Sequence, residues 1–509
     1  MRYTVNTSGF SMNYIMFGVG RKIMVIIPGL SVKRVTESYM TIERTYGIFA
    51  QKYTVYLFDR RENIEQGYNA AQAADDTARA MMALGIYDSY LFGVSQGGMI
   101  AQYIAIKYPE LVKKIVLGST FSKTNDTIAD VVGRWKKYAF EGDAEKLAES
   151  MIGTIYSEQT LSRHRQFLIV SFKEISREEL ERFCLLVDLC RDCSTYEQLC
   201  KIKCPMLVIG ADTDLVTGPG ASEEIADRTG CEKYIYKGYG HAVYDEAPDY
   251  KTRVFDFFES LPVYVGREID LPYAESIAKR IKSHASLKGK GDIRCLSLFF
   301  ENEVLSITDG KMEFCGDFSI LRKRTKNGLA DLRKESIVKA AMIKRKTKGL
   351  TIIDATAGLG EDSFILAAAG FNVVLFEKNN VIFELLKNAY ERCAKDDGTT
   401  EILDRMKLIN GNSIEMLRSI DSRPNIVFLD PMFPQRRKNG KIKKKFQLLQ
   451  QLEEPCDNEN ALLDAAIVAH PDKIIIKRPE HGEYFAGIRP SYSIKGDTIR
   501  YDCIVLANE

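Results

Sequence analysis

Residues 351–362 read Thr-Ile-Ile-Asp-Ala-Thr-Ala-Gly-Leu-Gly-Glu-Asp, an apolar run that leads into an acid, a glycine-rich turn and the start of a helix near Glu361. Glycine lets the backbone of such a turn pass close to a bound ligand. A second apolar run, residues 372–377, ends in an acid whose carboxylate can accept hydrogen bonds from two ribose hydroxyls. The pattern predicts a doubly wound α/β domain, and the absence of the three-glycine dinucleotide spacing favours S-adenosylmethionine over a pyrophosphate ligand. The alternative is a doubly wound domain with chance acids at its strand ends. The candidate cofactor residues on these two segments are Asp354, Gly358, Gly360 and Glu377.

Residues 425–433 read Asn-Ile-Val-Phe-Leu-Asp-Pro-Met-Phe, a third apolar run that ends in Asp430 and Pro431. The exocyclic amine of a nucleobase is a weak nucleophile because its lone pair is delocalised into the ring, so a site must hold the amine hydrogens and aim the lone pair. The carboxylate of Asp430 and the carbonyl of Pro431 are suitable acceptors, and Phe433 can stack on a base that has left its helix. The motif predicts methylation of a base amine, with an ordinary strand-to-loop turn as the alternative.

Three later stretches extend this pattern, which runs from about residue 265 to the end of the chain. They are Lys-Lys-Lys-Phe-Gln at 443–447, Ile-Lys-Arg-Pro at 476–479 and Thr-Ile-Arg-Tyr-Asp at 498–502. Together with residues 354–362 and 429–434, they resemble the ribosomal RNA small subunit methyltransferase J family, which methylates the N2 amine of a guanine in 16S rRNA. The resemblance implies a class I methyltransferase fold and cofactor contacts from Glu361, Asp362, Glu377, Lys378, Asn412, Ser413 and Asp430. The family usually has arginine at the positions of Glu361 and Lys378 and serine at that of Asn412, so the resemblance bears more directly on the other four residues.

Residues 91–98, in the first half, read Leu-Phe-Gly-Val-Ser-Gln-Gly-Gly and lie between an apolar run and a helical pattern. This is the strand, sharp turn and helix of a nucleophile elbow, whose central serine takes a strained backbone conformation. Gly93 and Gly97 leave room for that conformation. The motif predicts that Ser95 is a catalytic nucleophile.

The acid and the histidine of a catalytic triad follow in the order that this motif requires. His241 would take the Ser95 proton, and Asp214 would orient the imidazole and stabilise its charged form. Asp212 is the alternative acid. Asp214 is preferred because the residues after it match the register of this loop in the α/β-hydrolases, which residues 1–262 resemble in motif order. The predicted oxyanion donors are the backbone N–H groups of Gln96 and, in the turn after an early strand, Leu30.

Composition agrees with two enzymes in a reducing compartment. The chain has 509 residues, too many for one core, and 45% of them are hydrophobic. Its 11 cysteines are an odd number without a paired framework, which predicts free thiols, no metal site and a cytoplasmic location. The sequence has no signal-like or membrane-spanning apolar run, so no membrane partner is expected.

Charge divides the chain into an acidic and a basic half. Residues 1–262 hold 31 Lys+Arg against 34 Asp+Glu, and residues 263–509 hold 40 against 35. Basic residues cluster at 321–326, 344–348 and 436–445, the last just after the third acid-ended run. The clusters predict phosphate contacts with 16S rRNA or the small ribosomal subunit, with solvated basic loops as the alternative. The candidate RNA contacts are Pro431, Phe433, Arg436, Lys443 and Lys444.

The alternation of strands and helices predicts two doubly wound domains in tandem. The first, residues 1–262, carries a helical cap at about 125–198. A small α+β region, residues 263–348, then precedes the methyltransferase domain of residues 349–509. Residues 261–267 are expected to be a linker between the two halves.

The favoured function is a fusion of two enzymes. As the resemblance implies, the C-terminal half would methylate a guanine N2 amine in 16S rRNA, and the N-terminal half would hydrolyse an ester or related acyl bond of a small substrate. One alternative is a small-molecule pair that makes and cleaves a methyl ester, as in biotin synthesis, but a carboxylate acceptor would be repelled by Asp430 and needs no amine clamp. Another is a hydrolase fold that only binds, against which the intact Ser95, His241 and acid argue.

Overall fold

The computed structural model describes the chain except for residues 173, 294, 320, 322–328, 397, 432–447, 450, 453–457, 497 and 507–509. The chain divides into two compact units, Met1–Ser260 and Leu261–Glu509. Each unit has its own β-sheet and its own hydrophobic core.

Eight strands form the sheet of the first unit. They are β1 (Arg2–Thr7), β2 (Phe10–Phe17), β3 (Lys22–Ile27), β4 (Tyr53–Arg61), β5 (Ser89–Val94), β6 (Val112–Gly118), β7 (Met206–Ala211) and β8 (Glu232–Tyr236). Their order is β1-β2-β4-β3-β5-β6-β7-β8. The pairs β1–β2 and β2–β4 are antiparallel, and all later neighbours are parallel. The alternation of strands and helices in the sequence does not indicate the hairpin of β1 and β2, because β1 is mostly polar.

The central strands of this sheet are buried on both faces. Every residue of β5 and of β7 is buried, which is typical of parallel strands covered by helices on each side. The α-helices of the unit are Tyr39–Thr45, Ala70–Ala83, Gln96–Lys107, Asp126–Glu141, Ala144–Ile155, Glu158–Ser171, Arg177–Asp188, Ala221–Thr229, Val243–Glu246 and Tyr250–Glu259.

Four of these helices form an insert between β6 and β7, in the segment predicted as a cap. Each begins after a residue whose side chain accepts a hydrogen bond from the first helical turn, which satisfies an otherwise unpaired N–H group. The four capping residues are Asn125, Asp143, Ser157 and Ser176. The single tryptophan, Trp135, is buried within this insert.

The second unit begins with a five-stranded sheet in the order β10-β9-β11-β12-β13. Its strands are β9 (Val263–Val265), β10 (Ala285–Leu287), β11 (Ser297–Glu301), β12 (Val304–Thr308) and β13 (Glu313–Phe314). The expectation of a linker at 261–267 is wrong for β9, which is fully buried and pairs in parallel with β10 and β11. The local sequence Val-Tyr-Val suits a strand, and only its distant partners bury it.

The second sheet of this unit has seven strands in the order β16-β15-β14-β17-β18-β20-β19. They are β14 (Thr351–Asp354), β15 (Asn372–Glu377), β16 (Met406–Asn410), β17 (Ile426–Leu429), β18 (Lys473–Pro479), β19 (Tyr492–Lys495) and β20 (Ile499–Val505). The first five are parallel to one another, whereas β20 is antiparallel to both β18 and β19. The described α-helices of the unit are Leu271–Arg280, Leu329–Leu332, Ser336–Ala341, Glu361–Ala368, Asn380–Cys393, Thr400–Leu403, Ser413–Arg418 and Glu459–Val468.

The strand order reverses at β14, which lies between β15 and β17. In a doubly wound sheet such a reversal opens a crevice outside the carboxyl ends of the strands, where ligands bind. The topology therefore brings the ends of β14, β15 and β17 to one crevice, although they are separated by long stretches of sequence.

Candidate active sites

Ser95 lies in the sharp turn between β5 and the helix Gln96–Lys107, with φ 53° and ψ −122°. Such a positive φ is unusual for a residue with a side chain, so the surrounding structure must hold it. The Ser95 N–H donates to the carbonyl of Gly118 at 2.8 Å, and the Thr120 hydroxyl donates to the carbonyl of Ser95 at 2.7 Å. These contacts fix the turn just beyond the carboxyl end of a central strand.

Two glycines flank this turn at positions where no side chain fits. A Cβ on Gly97 would lie 2.0 Å from the carbonyl oxygen of Ile27, and one on Gly93 would lie 2.6 Å from the carbonyl oxygen of Gly97. Backbone atoms are involved in both cases, so rotating a side chain cannot relieve the clash. The glycines allow β3, β5 and the following helix to pack closely around Ser95.

Ser95, His241 and Asp214 are joined by hydrogen bonds. His241 Nε2 is 2.9 Å from Ser95 Oγ, and His241 Nδ1 is 2.8 Å from Asp214 Oδ2. The Asp214 carboxylate also accepts from the N–H groups of Val216 and Thr217 and from the Thr217 hydroxyl. Burial opposes ionisation of Asp214, but the charge and hydrogen bond of His241, together with those of Thr217, hold its pKa below the usual value. An ionised carboxylate at this position can orient the imidazole and stabilise its protonated form.

Asp212, the alternative acid, has other partners. Its Oδ1 accepts from the Gly238 N–H at 2.7 Å, and its Oδ2 is 3.7 Å from the Lys237 ammonium. The geometry therefore places Asp214, and not Asp212, against His241.

The two predicted oxyanion donors also lie next to the nucleophile. Gln96 follows Ser95 directly and is buried. The turn that contains Leu30 approaches Ser95 closely, since a Cβ on Gly29 would be 3.2 Å from the Ser95 Cβ. The structure brings these residues together, and the role of their N–H groups stays a prediction.

A cavity of about 290 Å³ lies at the carboxyl ends of β14, β15 and β17 in the second unit. All ten predicted cofactor residues line it, and so does Pro431. Sequence reasoning missed several other lining residues, among them Thr356, Ile382, Asn458, Leu462 and Lys477.

Glu377 is buried where β15 ends at this cavity. Its Oε2 accepts from the Gly358 N–H at 2.9 Å and its Oε1 from the Asn379 N–H at 2.8 Å. Each carboxylate oxygen has a second lone pair, so Glu377 can still accept hydrogen bonds from ribose hydroxyls.

Different restrictions apply at Gly358 and Gly360, the two glycines of the turn after β14. Gly358 has φ 53° and open space where a Cβ would lie, so its backbone faces the cavity without obstruction. Gly360 has φ 71°, and a Cβ there would be 2.8 Å from the Leu386 side chain. Both need the left-handed conformation that favours glycine, and Gly360 is also restricted by packing.

Asp354 ends β14, but both of its carboxylate oxygens are engaged. Oδ1 accepts from the Thr356 N–H at 3.1 Å, and Oδ2 accepts from the Ser363 hydroxyl at 2.6 Å. Burial raises the pKa of Asp354 to about 7 in spite of these hydrogen bonds. These contacts favour a role for Asp354 in shaping the glycine turn.

Lys477, near the end of β18, connects two of the predicted cofactor residues. Its ammonium is 2.6 Å from Asp362 Oδ2 and 2.8 Å from Asp430 Oδ2. Burial raises the pKa of the Asp430 carboxyl, and the adjacent Lys477 charge offsets part of that effect. The lysine thus favours the ionised form of Asp430. A signal in the sequence could have identified it, because Lys477 is a charged residue at the end of the apolar run Ile474–Ile476.

The remaining predicted cofactor residues lie around the cavity. Asn412 caps the helix Ser413–Arg418, its Oδ1 accepting from the Ile414 N–H at 3.1 Å. Ser413 is buried beside it, whereas the side chains of Glu361 and Lys378 are exposed at the edge.

The charge of the cavity fits the cofactor that the motifs predict. Five acidic side chains line it, those of Asp354, Glu361, Asp362, Glu377 and Asp430. Even without Asp354, whose pKa is raised to about 7, they outnumber the ammonium groups of Lys378 and Lys477. S-adenosylmethionine carries a sulfonium and an ammonium group against one carboxylate. An excess of acidic side chains attracts a ligand with net positive charge.

The predicted RNA contacts Phe433, Arg436, Lys443 and Lys444 lie outside the described residues, as does most of the cluster at 321–326. The cluster at 344–348 is described and precedes β14. Gly370 lies just before β15. A Cβ placed on it would be 3.5 Å from a side-chain atom of Thr347 and 3.4 Å from one of Lys348. This cluster is therefore at the amino ends of the strands, at the opposite edge of the sheet from the cavity.

Within the described ranges, no group of three or more His, Cys, Asp or Glu side chains is arranged to hold a metal ion. In the same ranges, no helix has the length and apolar character needed to cross a bilayer.

Comparison with known proteins separates the two units in the same way. A SAM-dependent methyltransferase family model matches residues 288–506, and an α/β hydrolase fold model matches residues 25–248. The ribosomal RNA small subunit methyltransferase J of Thioalkalivibrio sulfidiphilus is 35% identical over 191 residues, which cover 37% of this chain and 74% of the relative. The protein of the same name from Pseudomonas aeruginosa is 40% identical over 152 residues, 30% of this chain and 58% of the relative. A solved α/β hydrolase enzyme from a Medee basin deep-sea metagenome library is 23% identical, with 50% of this chain and 97% of that chain covered and a TM-score of 0.46.

These matches confirm the predicted pair of folds, two α/β domains in tandem, and the predicted cofactor, S-adenosylmethionine. The chain belongs, through its C-terminal unit, to the ribosomal RNA small subunit methyltransferase J family, and this unit is joined to an N-terminal unit with the α/β-hydrolase fold.

Proposed function

We propose that the C-terminal unit methylates the N2 amine of a guanine in 16S rRNA and that the N-terminal unit is a serine hydrolase acting on a small ester or related acyl compound. The observation that carries the first part is the position of Asp430 and Pro431. Both line the same cavity as Glu377 and the glycine turn, so an amine acceptor and a cofactor site share one crevice.

The residues around Asp430 suit transfer to a neutral amine. When bound, S-adenosylmethionine supplies an electrophilic methyl group. The Asp430 carboxylate and the Pro431 carbonyl accept the amine hydrogens and direct the lone pair toward that methyl. Asp430 then accepts the proton that the amine loses on methylation, and Lys477 keeps the carboxylate ionised for this purpose.

The nucleic acid target is proposed from two sources. The curated relatives carry the name of a ribosomal RNA methyltransferase, and the motif that ends in Phe433 contains an aromatic ring suited to stacking on an extruded base. The basic residues 436–445 directly follow this motif in the sequence, where phosphate contacts would hold the RNA beside the reacting base.

The N-terminal unit is proposed to work through its hydrogen-bonded triad. Ser95 Oγ attacks the acyl carbon while its proton passes to His241 Nε2, and Asp214 stabilises the imidazolium. The backbone N–H groups near Gln96 and Leu30 bind the developing oxyanion. His241 returns the proton to the leaving group, and a water molecule activated by His241 then cleaves the acyl-serine to release the acid and restore Ser95.

A second candidate is a small-molecule pair in which one unit makes a methyl ester that the other cleaves. It would explain why the two chemistries share a chain. The ionised Asp430 disfavours it, because the carboxylate oxygen that such a reaction methylates would be repelled at the position where an amine is attracted.

The test of the methylation proposal is mass spectrometry of rRNA nucleosides. In a strain that lacks the protein, N2-methylguanosine in 16S rRNA should decrease by one residue per small subunit. Complementation with the wild-type gene should restore it, and the Asp430→Ala variant should not. If Asp430→Ala restores the nucleoside, the amine clamp is wrong. If the deletion leaves the nucleoside unchanged, the target is wrong.

The hydrolase proposal has a separate test that requires no knowledge of the substrate. A fluorophosphonate probe should label the wild-type chain covalently and should not label the Ser95→Ala variant. Absence of labelling in folded wild-type protein would contradict an activated serine.

A further inference from the structure

Three arginines meet between the core of the first unit and the cap helix Arg177–Asp188. Arg60 lies at the carboxyl end of β4, and Arg182 lies on the cap helix. Arg34 lies in the loop after β3, with its Nη2 2.6 Å from Glu62 Oε2. Arg182 Nη2 is 3.8 Å from Asp59 Oδ1. We call Arg34, Arg60, Arg182, Asp59 and Glu62 the arginine cluster.

Arg182 is buried without an acceptor for any of its guanidinium nitrogens. Its side chain is 10% exposed, and within the described part of the chain Nε, Nη1 and Nη2 have no hydrogen-bond partner. The 3.8 Å separation from Asp59 is too long for a hydrogen bond. The other carboxylate oxygen of Asp59 already accepts from the N–H and the hydroxyl of Thr36. A buried cation in this condition is costly unless an anion completes its contacts.

The hydrogen-bond acceptors of Arg60 are neutral groups, and its buried Nε has no acceptor among the described residues. Its Nη2 donates to the Pro28 carbonyl at 2.8 Å and to the Gln96 side-chain oxygen at 3.2 Å. Burial, reinforced by the neighbouring Arg182 charge, lowers the pKa of Arg60 to about 10, so it is still a cation at neutral pH. The five residues of the arginine cluster carry three positive and two negative charges, and the exposed Glu37 carboxylate is a further negative charge near Arg182.

The cluster is adjacent to the proposed nucleophile. Gln96, which follows Ser95, donates from its side chain to the carbonyl of Leu186 on the cap helix at 2.7 Å. Arg182 and Leu186 are four residues apart and thus on the same face of that helix, about 6 Å apart along its axis. Arg60 contacts Gln96 and the Pro28 carbonyl, which precedes the turn beside Ser95. A group bound at Arg182 would lie close to the acyl bond that Ser95 attacks.

We propose that the hydrolase unit acts on substrates that carry a carboxylate in addition to the acyl bond to be cleaved, and that Arg182, supported by Arg60, binds this carboxylate. The inference rests on the proposed hydrolase function and names the substrate class of the same site. The planar guanidinium matches a carboxylate in a two-point contact, and a bound carboxylate would supply the acceptors that the Arg182 nitrogens lack. Because protein atoms cover the guanidinium nitrogens, entry of the carboxylate requires a shift of the Arg182 side chain or of the cap helix.

The test compares two 4-nitrophenyl esters that differ at the second carboxyl group. This group is a free carboxylate in mono-4-nitrophenyl adipate and is neutral in the methyl ester of that compound. Wild-type protein should show a higher kcat/KM for the free carboxylate by about tenfold or more, the effect of a charge-assisted hydrogen bond. Arg182→Met should abolish this preference by lowering kcat/KM for the free carboxylate to the value for the neutral ester, and Arg182→Lys should restore part of it. The matched control is Arg177→Gln, on the same helix but with an exposed side chain paired to Glu181, which should keep the full preference.

A binding measurement tests the carboxylate preference without depending on turnover. In a Ser95→Ala background, calorimetry should show tighter binding of monomethyl adipate than of dimethyl adipate, and the added Arg182→Met change should remove the difference. Equal binding of the two compounds before that change, or a preference that survives it, would overturn the proposal. If the binding preference is present but wild-type protein is not labelled by the fluorophosphonate probe, only the hydrolase function is rejected.

A purely structural role for Arg182 predicts a different result for stability. If Arg182 served mainly to neutralise Asp59, Arg182→Met would leave a buried carboxylate unpaired and lower the Tm. If Arg182 is held for a ligand, replacing an unpartnered buried cation by an apolar side chain should leave the Tm unchanged or raise it. A Tm decrease with equal loss of turnover for both esters would therefore contradict the proposal.

Discussion

The salt bridge between Lys477 and Asp430 leads to a prediction about the pH dependence of methylation. If Asp430 accepts the amine proton as proposed, methyl transfer needs its ionised form, and the rate should fall as the pH falls through the pKa of this carboxyl. Burial holds that pKa above its usual value, and the Lys477 ammonium at 2.8 Å opposes the rise. Lys477→Met keeps the length of the side chain and removes the charge.

The size of the effect follows from the geometry. A neighbouring opposite charge shifts a carboxyl pKa by about 1–3 units, and its removal also leaves Asp362 and Asp430 to repel each other without compensation. The acidic limb of the methylation rate should therefore move to higher pH by about 1–3 units. At a pH below the acidic limbs of both proteins, Lys477→Met should methylate about tenfold to a thousandfold more slowly than the wild type, since one pKa unit corresponds to a factor of ten.

The assay is single-turnover methylation of small subunits that lack the modification, with saturating labelled S-adenosylmethionine, across the pH range in which each variant stays folded. Lys477→Arg keeps the positive charge and should retain the wild-type limb. Lys407, an exposed lysine on the edge strand β16, is separated from β18 by three strands, and Lys407→Met is the control for loss of a charge elsewhere in the sheet. An unchanged limb in Lys477→Met, with cofactor affinity and folding intact, would refute the assignment of Asp430 as the titrating acceptor.

Three further predictions concern both units. Glu377→Ala should weaken S-adenosylmethionine binding in calorimetry by about 1–3 kcal/mol, the cost of losing hydrogen bonds to a charged group, and unchanged affinity would count against the assigned ribose site. Ser95→Ala should abolish ester turnover and leave rRNA methylation unchanged, because the triad and the methyltransferase cavity belong to separate units, and a methylation change well beyond twofold with folding intact would indicate coupled sites. Gly97→Ala should destabilise the first unit by about 1–3 kcal/mol in thermal unfolding, because its Cβ would overlap the Ile27 carbonyl, whereas Gly153→Ala, in open space on a cap helix, should be neutral or stabilising.

The features that could be predicted from the sequence are those encoded by neighbouring residues. The turn around Ser95 requires small residues within two positions of the serine, and the glycine turn after β14 likewise depends on Gly358 and Gly360. The sequence predicts β15 at its observed bounds because the apolar run Val373–Phe376 is continuous. The three residues of the buried strand β9 are too few to show the alternation of a strand, so the sequence indicates a linker there. Only the partner strands in the sheet bury these residues.

The sequence by itself therefore determined the two folds, the cofactor and most candidate residues, because each strand-end motif is local. The tertiary structure alone decided which charged residues meet. Lys477 is 115 residues from Asp362 and 47 from Asp430, and Arg182 reaches Asp59 from an inserted cap. Parallel strands place their carboxyl ends at one edge regardless of separation along the chain, so a lysine that looks like an ordinary surface charge in the sequence meets the acids of a site.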